Sequence, residues 1–305
     1  MNRIVVIGSS NTDMVIKTDR LPVPGEIIAG GQFMMNSGGK GANQAVAIAR
    51  MGGNVSFITK TGNDLLGKQS LELYKSEGIA TDYVFSDMDN PSGVALILMD
   101  ASGEKCISIA QGAIRTLSVK DIEKARAEIE NACILLMELE IHMETVEYIA
   151  KIAAEKGVKI ILNPSPVQAI PPKLLQQIQI IVPNKTEAEL LTGIYVNDWA
   201  SARKAADRIH EKGVETVIIT MGSKGALVRE KDGQYYEIAA EKVTAIDTTA
   251  AGDTFCGALC VGLTEGMCIV EAVKMACKAA AITVTRMGMQ DAIPYRRELK
   301  LKGKN

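Results

Sequence analysis

Short apolar runs alternate with helical patterns along most of this chain. Arg3–Ile7 predicts a first strand, ending in Gly8-Ser9-Ser10. Gly41–Met51 carries small residues at helical spacing and closes at Gly52-Gly53. Val55–Lys60 predicts the next strand and Gly67–Glu77 the next helix, closed by Gly78. Further on, the pattern predicts strands over Cys133–Met137, Lys159–Leu162, Gln179–Val182 and Thr216–Thr220, with helices over Met143–Lys156, Thr186–Leu191 and Ala200–Lys212. These strands are apolar throughout and do not alternate, as expected for a sheet covered on both faces. The repetition of strand and helix predicts an α/β fold: a doubly wound, mainly parallel sheet flanked by helices.

Two segments break the rhythm. Residues 14–35 hold Leu21-Pro22-Val23-Pro24-Gly25-Glu26 between two strand-like runs. Residues 92–110 place Val94–Met99 and Cys106–Ala110 around a turn at Asp100-Ala101-Ser102-Gly103, a hairpin signal. Both are expected to form a small β-sheet acting as a lid over the carboxyl ends of the main strands; two edge hairpins with no moving part are the alternative. The chain is expected to be a single domain with its body at 1–13, 36–91 and 111–305 and lid insertions at 14–35 and 92–110.

Composition narrows the partners. In 305 residues with a net charge of -2, nothing points to nucleic acid or an acidic membrane surface. Six cysteines without a C-x-x-C pair read as free, buried thiols in a reducing compartment. No apolar run approaches membrane-spanning length and the first is too short for a signal peptide, so the cytosol is expected. With only His142 and His210 present, acid–base chemistry must come from carboxylates.

The most informative segment is Asp247–Leu259, DTTAAGDTFCGAL. Small residues Ala250, Ala251 and Gly252 open an expected helix, whose free N–H groups and dipole suit an anion, and Asp253 stands just behind them. A hydroxyl that yields its proton to Asp253 while those N–H groups steady a phosphoryl group would make a kinase; a plain helix cap is the competing account. At the end of the first strand, Asn11 and Asp13 flank Thr12 and point to one side, suiting vicinal hydroxyls, or an Asx turn. Ser37-Gly38-Gly39-Lys40-Gly41-Ala42-Asn43 has the wrong spacing for a Walker loop and fits a close backbone approach to a polar ligand. Glu140 leaves a strand's carboxyl end toward the crevice. Asn184 and Glu187 have capping-box spacing, and Glu187 could also organise water around magnesium. Thr220-Met221-Gly222-Ser223-Lys224-Gly225 forms a turn whose N–H groups can converge on phosphate.

In this order, GSSNTD (Gly8–Asp13), GGKGANQAVAIARMGGNVSFITKTG (Gly38–Gly62), PNKTEAE (Pro183–Glu189) and DTTAAGDTFCGAL resemble the ribokinase family of carbohydrate kinases, the PfkB group, over nearly the whole chain. The resemblance implies transfer of the γ-phosphoryl of MgATP to the primary hydroxyl of a sugar, D-ribose first, with Asp253 as base. Asn11, Thr12, Asp13, Gly38, Gly39, Lys40, Gly41, Asn43 and Glu140 would hold the sugar. Asn184, Thr220, Gly222, Ser223, Lys224, Gly225, Ala251, Gly252 and Cys277 would hold ATP, and Glu187 would act on Mg2+ through water. A monovalent cation, usually K+, would lie at Asp247, Thr249, Thr283, Arg286, Gly288 and Ala292, where Ala292 replaces a frequent serine. Cys256 stands where asparagine is common and Cys277 where histidine is. A homodimer through the β-lid is also implied. The alternatives are a 2-deoxyribose, fructose or nucleoside kinase, or a non-catalytic sugar- or nucleotide-binding protein on the same fold.

Overall fold

The computed structural model describes residues 2–303. In chain order its elements are β1 (Arg3–Ile7), β2 (Asn11–Lys17), β3 (Gln32–Gly38), α1 (Lys40–Arg50), β4 (Asn54–Gly62), α2 (Leu65–Ser76), β5 (Val84–Asp87), β6 (Gly93–Met99) and β7 (Lys105–Ala110). They continue through α3 (Val119–Lys124), α4 (Arg126–Glu130), β8 (Ile134–Met137), α5 (Met143–Glu155), β9 (Lys159–Leu162), α6 (Pro172–Leu175), β10 (Ile180–Ile181), α7 (Lys185–Thr192) and α8 (Trp199–His210). The last are β11 (Thr216–Thr220), β12 (Ala226–Arg229), β13 (Tyr235–Ile238), α9 (Ala251–Thr264) and α10 (Ile269–Thr283).

Nine strands form the large sheet in the order β13-β12-β11-β10-β9-β8-β1-β4-β5. All neighbours from β11 to β5 pair in parallel, and only β12 and β13 turn back antiparallel at one edge. Alternate residues of one strand serve two cores. In β1, Val5 and Ile7 join Leu135, Met137 and the inner faces of α5 and α8, whereas Ile4 and Val6 join Ile134, Leu136 and helices α1, α9 and α10. Burial on both faces explains the unbroken apolar runs. From β1 the chain winds outward through β4 and β5, then returns to β8 and winds the other way. The crevice at the carboxyl ends therefore opens between β1 and β8, the switch point where ligands bind in such sheets.

A separate four-stranded sheet, β3-β2-β6-β7, rises from that crevice. Its β2 starts at Asn11 and its β3 ends at Gly38, so it takes in three residues on each side of the segment 14–35. Residues 11 to 13 and Gly38 are thus strand residues of the small sheet. One of its faces stays open, with Ile16, Phe33, Met35, Leu96, Ile107 and Ile109 all exposed.

The cysteines differ from the expectation. Cys256, Cys260 and Cys277 are buried, but Cys106, Cys133 and Cys268 are exposed. Cys106 lies on uncovered β7 and the other two border the ends of β8 and α10, where an apolar neighbourhood in sequence does not become core. No described helix is long and apolar enough to cross a membrane.

Candidate active site

Helix α9 begins without a side-chain cap. Ala250 precedes it at φ 58, the sole non-glycine residue with positive φ among those described. The left-handed conformation costs about 1 kcal/mol for alanine, and such strain collects at functional sites. The first N–H groups of α9 lack partners within the helix, Ala251 N making only a long 3.4 Å bond to Thr248 O, and suit an anion.

Asp253, in the first turn, is buried. Its Oδ2 accepts from Asn43 Nδ2 at 3.0 Å and its Oδ1 from Gln44 Nε2 at 3.1 Å. Both donors sit on α1, which packs tightly on α9 because Gly257 leaves room for Ala47; a Cβ there would come within 2.6 Å of it. Burial pushes the Asp253 carboxyl above its ordinary range, opposed by Lys40, Asn43 and Gln44. Gln44 Nε2 also donates to Asn163 Oδ1 at 3.2 Å, just past β9.

Beside this carboxylate lies a polar pocket. Asn11 and Asp13 point from β2 to one side, and by alternation Thr12 points to the other. The space comes from glycines on the neighbouring strands: a Cβ at Gly93 would collide with Asn11 Oδ1, and one at Gly38 with the Asp13 carboxylate. Burial, then Glu140, push the Asp13 carboxyl up to about 7, against the pull of Lys40. Gly39 adopts φ 90 and presses on the backbone of Ser9 to Asn11, leading into Lys40 at the start of α1. For the Lys40 ammonium, burial works downward, yet Asp253, Glu140, Glu138 and Glu187 together push it up. A cavity of about 160 Å³ opens here, lined by Ser9, Asn11, Gln111, Glu140 and neighbouring apolar side chains.

Sequence reading passed over the residue that organises the pocket floor. Glu138 is fully buried and accepts from Ser9 N at 2.5 Å and from Glu140 N. Ser9 Oγ in turn donates to Glu140 and accepts from Lys40 N at 2.9 Å. Its signal was the pair of acids in Leu135–Glu140, of which Glu138 is the one held inside.

Asn11 Oδ1, Asn43 Oδ1 and Gln44 Oε1 are buried acceptors without a hydrogen-bond partner. Unmet buried acceptors are costly, so each is open to a hydroxyl donor.

Across the α9 N-terminus lies a cavity of about 350 Å³. Thr220, Gly222, Ser223 and Gly225 form one wall, Ala251 and Gly252 the end, and Phe255, Cys277, Ala280 and Ala281 the apolar floor. Two residues assigned to this site by sequence, Lys224 and Asn184, are absent from that lining, though Asn184 bridges Thr220 on its wall. Lys224 turns away to donate to Asn197 O at 2.7 Å, because the short 3-10 turn Gly222–Lys224 faces it outward. Asn184 caps α7, accepting from Glu187 N at 2.9 Å, while Glu187 accepts from Asn184 N at 2.8 Å; Asn184 does not line the cavity. Cys277 does line it, with its thiol pushed up to about 12 by burial, whereas Cys256 is fully buried. His142 is exposed and His210 binds Val214 O.

No cluster of three His, Cys, Asp or Glu side chains able to hold a metal occurs among the described residues. Magnesium fits as a companion of the nucleotide, keeping waters and phosphate oxygens, with the 8 % exposed Glu187 near Asp253 as the carboxylate its waters would meet. The residues implied for a monovalent cation would offer it mostly main-chain carbonyls, since several of their side chains are engaged. Thr283 Oγ1 is spent on Thr254 Oγ1 and Ala279 O, Arg286 pairs with Glu298, and Gly288 and Ala292 have no side-chain oxygen. The Asp247 carboxylate already receives Thr249 and the ammonium of Lys105. Asp247 Oδ2 and the main-chain carbonyls of these residues remain there.

A family model described as pfkB family carbohydrate kinase matches residues 1–296. A ribokinase of Haemophilus influenzae is 44% identical over 295 residues, covering 97% of this chain and 96% of the relative. A deoxyribokinase of Salmonella typhi is 35% identical, covering 95% of each. The structure of Arabidopsis thaliana ribokinase complexed with ribose and ATP superposes with a TM-score of 0.90 at 32% identity, covering 98% of this chain and 97% of that one.

Proposed function

Because the chain belongs to the pfkB family of carbohydrate kinases, we propose that it transfers the γ-phosphoryl of MgATP to the primary (5-) hydroxyl of D-ribose, with Asp253 as the base. The observation that carries this reading is the buried Asp253 carboxylate, held by Asn43 at the uncapped start of α9, with Asn43 Oδ1 left unpartnered beside it.

Asn11, Asp13 and Glu140 accept hydrogen bonds from hydroxyls of the sugar, and Asn43 and Lys40 steady the end that reacts. Asp253 holds the proton leaving the primary hydroxyl; its raised affinity for protons suits that task at neutral pH. The N–H groups from Ala251 to Asp253 stabilise charge on the transferring group, the kind of preorganised electrostatics on which phosphoryl transfer depends. The adenine end of ATP occupies the apolar cavity over Cys277 and Ala280, and its phosphates run along Gly222, Ser223 and Gly225. Glu187 would hold magnesium through its waters, and the ion would supply neutralisation of phosphate charge. No step is assigned to a monovalent cation.

Ribose is preferred to 2-deoxyribose because Asn11 Oδ1 would stay unpaired without a 2-hydroxyl, and sites of this kind discriminate strongly. The open apolar face of the small sheet supports a homodimer formed through it. Free thiols throughout fit the cytosol.

The test is ADP formation from MgATP with ribose, 2-deoxyribose, fructose and adenosine in parallel. Ribose should give the highest kcat/KM. Another sugar in first place would overturn the Asn11 argument, and no turnover with any would overturn the kinase reading. Asp253→Asn should cut kcat about 10³-fold while ribose binding persists; a variant with near-normal turnover removes Asp253 from its role.

A further inference from the structure

Glu138 is the first residue past β8 and Ser9 the second past β1, where these parallel strands set Ile7 opposite Met137. The Glu138 side chain is fully buried, and its two carboxylate oxygens hold two separate stretches of backbone. Oε1 accepts from Ser9 N at 2.5 Å, and Oε2 accepts from Glu140 N. Ser9 Oγ closes a ring of hydrogen bonds by donating to Glu140 Oε2, and it accepts from Lys40 N at 2.9 Å. Ser9 O accepts from Ala42 N at 2.9 Å, so the first turn of α1 hangs on the same residue. Gly8 leaves room for this arrangement, since a Cβ there would collide with Glu138 Oε1. Burial and then Glu140 push the Glu138 carboxyl up, while the two N–H groups and Lys40 pull it the other way. The cavity of about 160 Å³ beside Asn11 has Ser9 and Glu140 in its wall but not Glu138.

We propose that Glu138 is a positioning residue that sets the affinity for the sugar by fixing Ser9 and Glu140. The proposal rests on the kinase reading above and deepens it. A buried carboxylate is costly unless its oxygens are met, and here two backbone N–H groups meet them. Both N–H groups need an acceptor at once, which a carboxylate provides with its two oxygens. An amide in its place would satisfy one and turn a donor toward the other. With the ring open, the Glu140 carboxylate loses the frame that aims it at a sugar hydroxyl. The larger cavity shares no lining residue with the ring, so affinity for the nucleotide is independent of it.

The experiment compares wild type with Glu138→Gln, which keeps one acceptor, and Glu138→Met, which keeps the approximate volume with no such acceptor. KM for ribose, KM for ATP and kcat are measured for each, with the thermal unfolding midpoint as a check on folding. KM for ribose should rise about threefold in Glu138→Gln and about 20-fold in Glu138→Met, while KM for ATP and kcat stay within about twofold. Should Glu138→Met fail to fold, Glu138→Gln and Ser9→Ala decide. Each opens the same ring, so the double variant should raise KM for ribose little beyond the larger single effect. Fully multiplicative effects would overturn the proposal. So would variants that match wild type in KM for ribose, or that raise both KM values alike, since Glu138 would then be an ordinary core residue. A wild type that phosphorylates no sugar overturns the kinase reading and this proposal with it, whereas turnover of ribose by wild type leaves the variants to judge Glu138 alone.

Discussion

Gln44 Nε2 meets Asp253 Oδ1 at 3.1 Å across 209 positions of sequence, and the same nitrogen holds Asn163 Oδ1 at 3.2 Å. One amide thereby aligns the buried carboxylate against the ends of α1 and β9. Gln44→Leu removes both donors while keeping the volume close. It is expected to lower kcat about 10- to 100-fold with a much smaller effect on KM for the sugar, because the base is mis-set and the sugar-binding side chains are not. Its pH–rate profile should move upward, since Gln44 helps to hold Asp253 down. Steady-state kinetics across pH decide this, and an unchanged kcat would remove Gln44 from the site.

Gly39 joins the small sheet to α1 at φ 90, and a Cβ there would come within 2.8 Å of Ser9 O, Ser10 Cα and Asn11 N. Those atoms are backbone and cannot give way as a flexible side chain would. Gly39→Ala should therefore cost about 2 kcal/mol or more of stability and raise KM for the sugar, since Lys40 and Asn11 move apart. Denaturant unfolding and sugar titration provide the check. A variant matching wild type in both would show that the turn relaxes at no cost.

Stability and activity should respond to pH in opposite directions. Burial, then Glu140, push Asp13 up to about 7 from its ordinary 3.8 and push Glu138 well above the usual carboxylate range. Folded-state values above the unfolded ones mean that the folded protein holds protons which the unfolded chain has released. The associated stability is full below about pH 4 and is lost as pH rises through 7 to 8. The sugar-free protein should melt lower at about pH 8.5 than at about pH 5, whereas kcat/KM for the sugar should fall below about pH 7 as Asp13 protonates and stops accepting. Calorimetry at constant ionic strength with parallel kinetics tests both, and a melting point that climbs over this interval contradicts the assignment.

Ala280 lies on the apolar floor of the larger cavity, partly exposed, beside Cys277. Ala280→Leu should raise KM for ATP about tenfold with sugar affinity unchanged, because the added carbons fill space that the base would use. Equal effects on both substrates would show that the cavity is not the nucleotide's.

Much of the fold could be read along the chain. The strands β1, β9 and β11 fall where their apolar runs predict, since a sheet buried on both faces imposes its pattern on each strand separately. The antiparallel edge β12–β13 and the helix α10 were passed over. Of the site, Asp253, Asn43, Gly39 and Asn11 were legible because their motifs put special chemistry next to special backbone.

Local pattern alone was enough for the α/β class, the carboxylate at the start of α9 and the polar pocket's main side chains, because those depend on spacing within one strand, turn or helix start. Gln44, Glu138, Gly93 and Lys105 gained their roles only in the folded chain. Each acts on a residue far away in sequence: Gly93 makes room for Asn11, Glu138 holds Ser9, and Lys105 reaches Asp247 over 142 positions. Lys224 shows the converse, with an apt sequence position but a side chain that donates to Asn197 O. Direction in space is set by how helices and sheets pack against one another, and no periodicity in a single segment encodes it.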